Sequence, residues 1–166
     1  MIITYDDFPA IREKYKGKQI IFCSGTFDLT HAGHILFFED CKKLGDILVV
    51  GVGDDETIKS YKGETRPILN EHIRLKTVDS LRPVDYCFLD NPKEKGEKTL
   101  FSPLSVIFGL LKPDKYVVND ESFKMDYRME MCKKELVDPV VLKRWCPKEF
   151  DGISTTQIIE KVKSLD

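Results

Sequence analysis

No stretch of this 166-residue chain is apolar for long enough to cross a bilayer; the longest runs, Ile47 to Val52 and Leu104 to Leu111, stop far short of the required length. The opening MIITYDDFPA has no basic, apolar and small-residue sequence of the kind a signal peptide needs. Cysteines at 23, 41, 87, 132 and 146 include no CxxC pair and leave one over, which speaks against a zinc ribbon or a disulfide framework. They read as reduced, mostly buried thiols in a cytoplasmic protein. A net charge of −2 gives no broad electrostatic attraction to nucleic acid or membrane, so neither is an expected partner. Repeats and low-complexity segments are missing too.

What is present fits an ordinary globular domain: 42% hydrophobic and 33% charged residues in a length that supports one core and is short for two. Residues 1–17 read as an N-terminal extension and 18–166 as the domain. Lys18 to Cys23 (KQIIFC) predicts a first strand, and the β-branched run Asp46 to Val52 (DILVVGV) a buried parallel one. Val84 to Leu89, Lys115 to Val118 and Pro139 to Leu142 complete about five strands. Helices are predicted between them, among them His34 to Lys43 with a glycine stop at Gly45, Glu71 to Leu81 capped by Asn70, and Phe123 to Leu136. Alternating strands and helices imply an α/β, Rossmann-like, doubly wound parallel sheet in a single domain. Gly51-Val52-Gly53 lacks the third glycine of a dinucleotide fingerprint, and that reading is rejected.

The chain is organised around Gly25 to His34 (GTFDLTHAGH), a strand-to-helix turn with two small glycines and two imidazoles three residues apart. Such a turn presents backbone N–H groups and a helix dipole to an anion. On these residues alone a plain surface turn is an equal alternative, and a metal pair a distant one, because neither a Cys pair nor a third His lies nearby. YKGETRP, from Tyr61 to Pro67, reads as a polar loop, and Asp90 to Thr99 as a charged, exposed one.

GTFDLTHAGH resembles the signature of the cytidylyltransferase-like nucleotidyltransferases, a His-x-Gly-His after a Gly-x-Phe-Asp turn, and Gly152 to Thr156 (GISTT) resembles their second nucleotide-binding motif. KGETRP is similar to the loop of the heptose 1-phosphate branch, while GISTT and the first motif also resemble glycerol 3-phosphate cytidylyltransferases. The resemblance implies attack by a phosphate monoester on the α-phosphorus of CTP or ATP, with Mg²⁺ held mainly by the triphosphate, giving a nucleoside diphosphate-linked sugar or polyol and pyrophosphate. A phosphate monoester is already anionic near neutral pH, so positioning and charge neutralisation carry the catalysis rather than a base.

By the same resemblance His31, His34 and Lys62 are the catalytic residues. Thr26, Phe27, His31, His34, Asp120, Gly152, Ile153, Ser154, Thr155 and Thr156 bind nucleotide, and Lys62, Arg66 and Arg74 hold the acceptor phosphate. Each has a plainer role beside it: Ser154 as a helix cap, Phe27 as core, Arg74 as an exposed helix charge, Asp28 as a brace for the turn. Glu149 stands where many glycerol-phosphate enzymes carry arginine, which weakens transfer of cytidine specificity. An FMN adenylyltransferase and a regulatory module that binds nucleotide without turnover remain the alternatives. Homodimers are common in such small members.

Overall fold

The computed structural model describes residues 1–91, 104–143, 145, 147–150 and 154–165. Gly152, Ile153, Cys146, Ser102-Pro103 and most of the predicted charged loop lie outside the described residues.

Six parallel strands form one sheet: β1 Ile2–Ile3, β2 Ile20–Gly25, β3 Ile47–Gly53, β4 Tyr86–Asp90, β5 Lys115–Asn119 and β6 Asp138–Leu142, in the spatial order β1-β4-β3-β2-β5-β6. Seven α-helices are described: α1 Phe8–Lys14, α2 Ala32–Lys43, α3 Asp55–Lys62, α4 Glu71–Asp79, α5 Leu104–Leu111, α6 Met125–Glu135 and α7 Thr155–Lys163. None of the described helices is long and apolar enough to cross a membrane.

Period-two alternation sorts the core onto the two sheet faces. Ile20, Phe22, Val49, Phe88, Tyr116 and Val118 pack with α1, α5 and α6, through Phe8, Ile11, Ile107, Phe108 and Cys132. Ile21, Cys23, Leu48, Val50, Cys87 and Val117 pack on the other face with Phe38 and Cys41 of α2 and Leu75 and Val78 of α4. Cys23, Cys41, Cys87 and Cys132 are buried free thiols.

Two elements depart from the sequence expectation. A sixth strand, β1, pairs with β4 through Ile2↔Cys87 and Ile3↔Phe88, and Tyr5 and Phe8 behind it are fully enclosed in the same core. Two residues carry no periodicity, so this edge strand left no pattern to read. Gly45 is not a left-handed helix stop; α2 ends at Lys43, and a Cβ on Gly45 would sit 2.7 Å from the Ile21 side chain. Close packing, not turn geometry, requires the glycine there.

β2 is flanked by β3 on one side and β5 on the other, so the order of strands reverses beside it. Crevices for ligands form at the carboxyl ends of strands at such a switch point. The candidate site residues are found there.

Leu136 closes α6 in the left-handed region at φ 56, 93% exposed, with the Val137 N–H bonding back to the Cys132 carbonyl. A non-glycine residue there costs about 1 kcal/mol. Leu136→Gly is expected to raise thermal stability by about 0.5–1 kcal/mol, a Tm increase of roughly 2–3 °C in calorimetry; an unchanged or lower Tm would contradict the strain.

Candidate active site

A cleft of about 360 Å³ opens over the ends of β2 and β5. Its walls come from the turn after β2 (Ser24 to Asp28), the start of α2 (His31, Gly33, His34), Lys62 and Arg66, Asn119 to Ser122, and the start of α7 (Ser154, Thr155, Thr156). The size suits a nucleotide-scale ligand.

The turn after β2 is held in an unusual shape. Phe27 and Leu29 both adopt positive φ, at 51° and 45°. Residues without glycine's freedom accept this only where the surroundings over-determine it. The Phe27 ring supplies that constraint: it is buried, lies 4.8 Å from the Phe38 ring and 5.6 Å from the His34 ring, and covers Gly25, where a Cβ would come within 2.9 Å of it. Gly25 is therefore small to admit Phe27.

His31 is the N-cap of α2 and His34 the third residue of the helix, so both rings stand at its positive end. The rings stack with centroids 3.9 Å apart at 26°. The His31 backbone N–H donates to Nδ1 of His34 at 3.4 Å, which in the neutral ring leaves Nε2 carrying the proton as a donor. A second helix start faces the same cleft: Ser154 caps α7 by accepting from the Gln157 N–H at 3.1 Å, and Thr155 Oγ1 donates to the Asp28 carbonyl at 2.8 Å, tying the two helix ends together.

Asp28 braces a different segment from its own turn. It is 2% exposed and accepts from the N–H groups of Ile68 (2.8 Å) and Leu69 (3.0 Å), while Arg66 Nε lies 3.8 Å from its carboxylate. Gly63, at φ 91, ends α3 and lets the loop fold back so that Lys62 and Arg66 line the same cleft as the imidazoles. Lys62 is exposed by surface area, yet the cleft wall crowds its ammonium. That desolvation, followed by the Arg66 guanidinium, pushes its pKa below the ordinary lysine value.

One sequence expectation is corrected. Arg74 does not line the cleft and is not placed to hold an acceptor phosphate. It is fully buried, with Nε donating to Leu69 O (2.9 Å), Nη1 to Thr26 O (2.7 Å), and Nη2 to Gly53 O (2.8 Å) and Asp55 Oδ1 (2.7 Å). Its donors are spent on the scaffold. Asn119, Glu121 and Ser122 line the cleft at the end of β5, and Asp120 between them is exposed. Past the end of β5 the chain turns through the Asn119 side chain, which accepts from the Glu121 N–H at 3.1 Å, and the Asp120 N–H bonds Leu142 O.

The structure brings together Thr26, Phe27, His31, His34, Lys62, Arg66, Ser154, Thr155 and Thr156. Sequence reasoning missed the far end of the cleft, where Leu36, Phe37 and Asp40 continue one stripe of α2 from Gly33. Their i, i+3, i+4, i+7 spacing was a readable signal, but the neighbouring Phe38 and Cys41 competed for the role of inner face. Among the described residues no group of three His, Cys, Asp or Glu side chains is arranged to hold a metal.

Two helix N-termini, two imidazoles, an ammonium and a guanidinium converging at the switch point of a parallel sheet make a candidate anion site of the α/β class. The family follows from the sequence: residues 22–161 match the cytidylyltransferase-like family, and the chain belongs to that family of nucleotidyltransferases. It is 37% identical over 147 residues to the bifunctional protein HldE of Helicobacter pylori, covering 88% of this chain and 28% of that protein. It is 35% identical over 152 residues to the HldE of Campylobacter jejuni subsp. doylei, covering 90% and 29%. The chain thus spans less than a third of the length of these curated relatives. Among solved structures, a lipopolysaccharide core biosynthesis protein from Thermoplasma volcanium matches with TM-score 0.61 at 27% identity, over 80% of this chain and 100% of that one. Pantothenate synthetase from Thermus thermophilus shares the fold, with TM-score 0.65 at 15% identity over 98% of this chain and 70% of that one.

The two arginines should separate experimentally. Arg74→Met strands three carbonyls and Asp55, and is expected to lower stability by about 3–5 kcal/mol in urea denaturation. Arg66→Ala, half-buried beside Asp28, is expected to cost about 1 kcal/mol or less. An Arg74→Met protein of normal stability would contradict the bracing role.

Proposed function

We propose that this chain transfers a nucleoside monophosphate from ATP or CTP to a small phosphate monoester, a sugar or polyol phosphate, and releases pyrophosphate. The observation that carries this reading is that His31 and His34 line one cleft together with Lys62 and Arg66. The imidazole donors suit the triphosphate, and the two cations suit an acceptor phosphate.

In the reaction an acceptor phosphate oxygen bonds to the α-phosphorus, and the bond from that phosphorus to the oxygen bridging to the β-phosphate breaks. Pyrophosphate leaves with the electron pair. Proton removal is not required, since the acceptor's second pKa is near 6. His34, with Nε2 as a donor, and His31 stabilise the charge that grows on the phosphate oxygens. Lys62 and Arg66 hold the two anions in line against their mutual repulsion. Backbone N–H groups at the helix starts complete the cradle. The donor set fits Mg²⁺ arriving as a complex with the triphosphate, because that ion is commonly held by substrate phosphates and water; it would neutralise phosphate charge.

The KGETRP loop resembles the heptose 1-phosphate adenylyltransferase branch, and Glu149 departs from the glycerol-phosphate pattern, so ATP and a sugar phosphate are the favoured pair. The likeness to a protein named for lipopolysaccharide core biosynthesis agrees with a sugar-phosphate acceptor. Buried free thiols at four positions accord with a reducing, cytoplasmic setting.

Pyrophosphate release with Mg²⁺, testing ATP and CTP against glycerol 3-phosphate, heptose 1-phosphate, other sugar phosphates, phosphocholine and FMN, identifies the pair. Turnover only with FMN would replace the acceptor class, and nucleotide binding without turnover would favour a regulatory role. His34→Ala is expected to lower kcat by about 10²–10³-fold while the protein stays folded; normal activity would remove the proposed role.

The lowered Lys62 pKa has a pH consequence. Above its folded pKa the ammonium loses its charge, so kcat/KM falls on the alkaline side, starting below the ordinary lysine pKa of 10.5. Lys62→Arg, which keeps its charge, is expected to move that alkaline limb to higher pH; an unmoved limb would assign it to another group.

A further inference from the structure

The cleft has two chemically different ends. One carries the imidazoles, Lys62, Arg66 and the start of α7; the other carries Leu36, Phe37, Leu142 and Trp145. The apolar end runs along α2, whose stripe ends at Asp40, seven residues and roughly 10 Å of helix beyond Gly33.

Trp145 is 55% exposed, yet it is not a loose surface ring. Its indole N–H donates to Asp40 Oδ2 at 2.8 Å, and the other Asp40 oxygen accepts from Lys43 Nζ at 2.7 Å. Partial burial pushes the Asp40 carboxyl up, but the bonds from Lys43 and Trp145 outweigh it and hold the carboxyl below its ordinary range. The indole is anchored by its edge while more than half of its surface is left uncovered by protein. An aromatic ring fixed at the rim of a cleft, beside Leu36 and Phe37, offers a wall for a flat π-system.

We infer that this apolar end receives the base of the nucleoside triphosphate and that Trp145, positioned by Asp40, is a base-contacting residue. The inference rests on the reading that the cleft binds a nucleoside triphosphate. The direction follows from charge. The triphosphate is held where the donors are, so the ribose and base extend away from them, and the stripe of α2 leads from Gly33 to Asp40. A sugar phosphate acceptor, anionic and rich in hydroxyls, finds its charge complement at Lys62 and Arg66. The base contact that this predicts is stacking, which is tolerant of base identity and leaves the choice between adenine and cytosine to other groups.

Trp145 is the chain's single tryptophan, so its emission reports this one position. Intrinsic fluorescence would be followed while Mg·ATP, Mg·CTP or tripolyphosphate, a probe without a base, is added, with calorimetry recording binding in parallel. Both nucleotides are expected to quench or shift the emission, and tripolyphosphate to bind without doing so. Trp145→Ala is expected to raise KM for the triphosphate about tenfold or more, equivalent to about 1.4 kcal/mol, without a matching rise in KM for the acceptor. Trp145→Phe, which keeps an aromatic face, is expected to recover most of that loss. Nucleotide binding seen by calorimetry with unaltered emission, or an unchanged KM in Trp145→Ala, would overturn this inference and leave the proposed function standing. Failure of both nucleotides to bind would overturn both.

Discussion

The buried guanidinium of Arg74 is the constraint on which the site depends. Desolvating a cation is costly, and the cost is offset here by bonds to the carbonyls of Thr26, Gly53 and Leu69 and to the Asp55 carboxylate. Those four partners belong to the turn after β2, the end of β3, the start of α3 and the segment entering α4. One side chain therefore sets the relative positions of four pieces of backbone around the cleft. It also sets direction. The Thr26 carbonyl turned toward Arg74 leaves the N–H of Phe27, across the same planar trans peptide, directed the opposite way. Asp28 completes the arrangement from the other side by gathering the amides of Ile68 and Leu69.

This division of labour explains why so few charges are left for ligand. Arg74 is buried and Asp28, though it borders the cleft, is committed to backbone amides, whereas Lys62 and Arg66 line the cleft. The imidazoles are preorganised by stacking, by the helix start and by the ring of Phe27, whose left-handed backbone is held in place by its burial. Preorganised donors need no rearrangement as charge develops, which is where electrostatic catalysis gains most.

Much of this was legible in the chain. The unbroken apolar runs IIFC and ILVV announced two strands, the second as a buried parallel one, and Gly63 with Pro67 announced the loop between α3 and α4. The two motifs marked where helix starts would meet ligand. The rest was hidden for physical reasons. Arg74 on a short helix has an exposed charge as its ordinary reading, and only tertiary contacts reveal four partners from distant segments. Trp145 sits in an irregular segment without periodicity, and its link to Asp40 spans more than a hundred residues.

The most direct test of nucleotidyl transfer follows the phosphorus atoms. ATP labelled at the α-phosphate, and separately at the γ-phosphate, would be incubated with Mg²⁺ and the sugar phosphate acceptor. The account predicts that the α-label appears in the acceptor-linked product and the γ-label in pyrophosphate. Movement of the γ-label to the acceptor, or its release as orthophosphate with the α-label left on a free nucleotide, would contradict it.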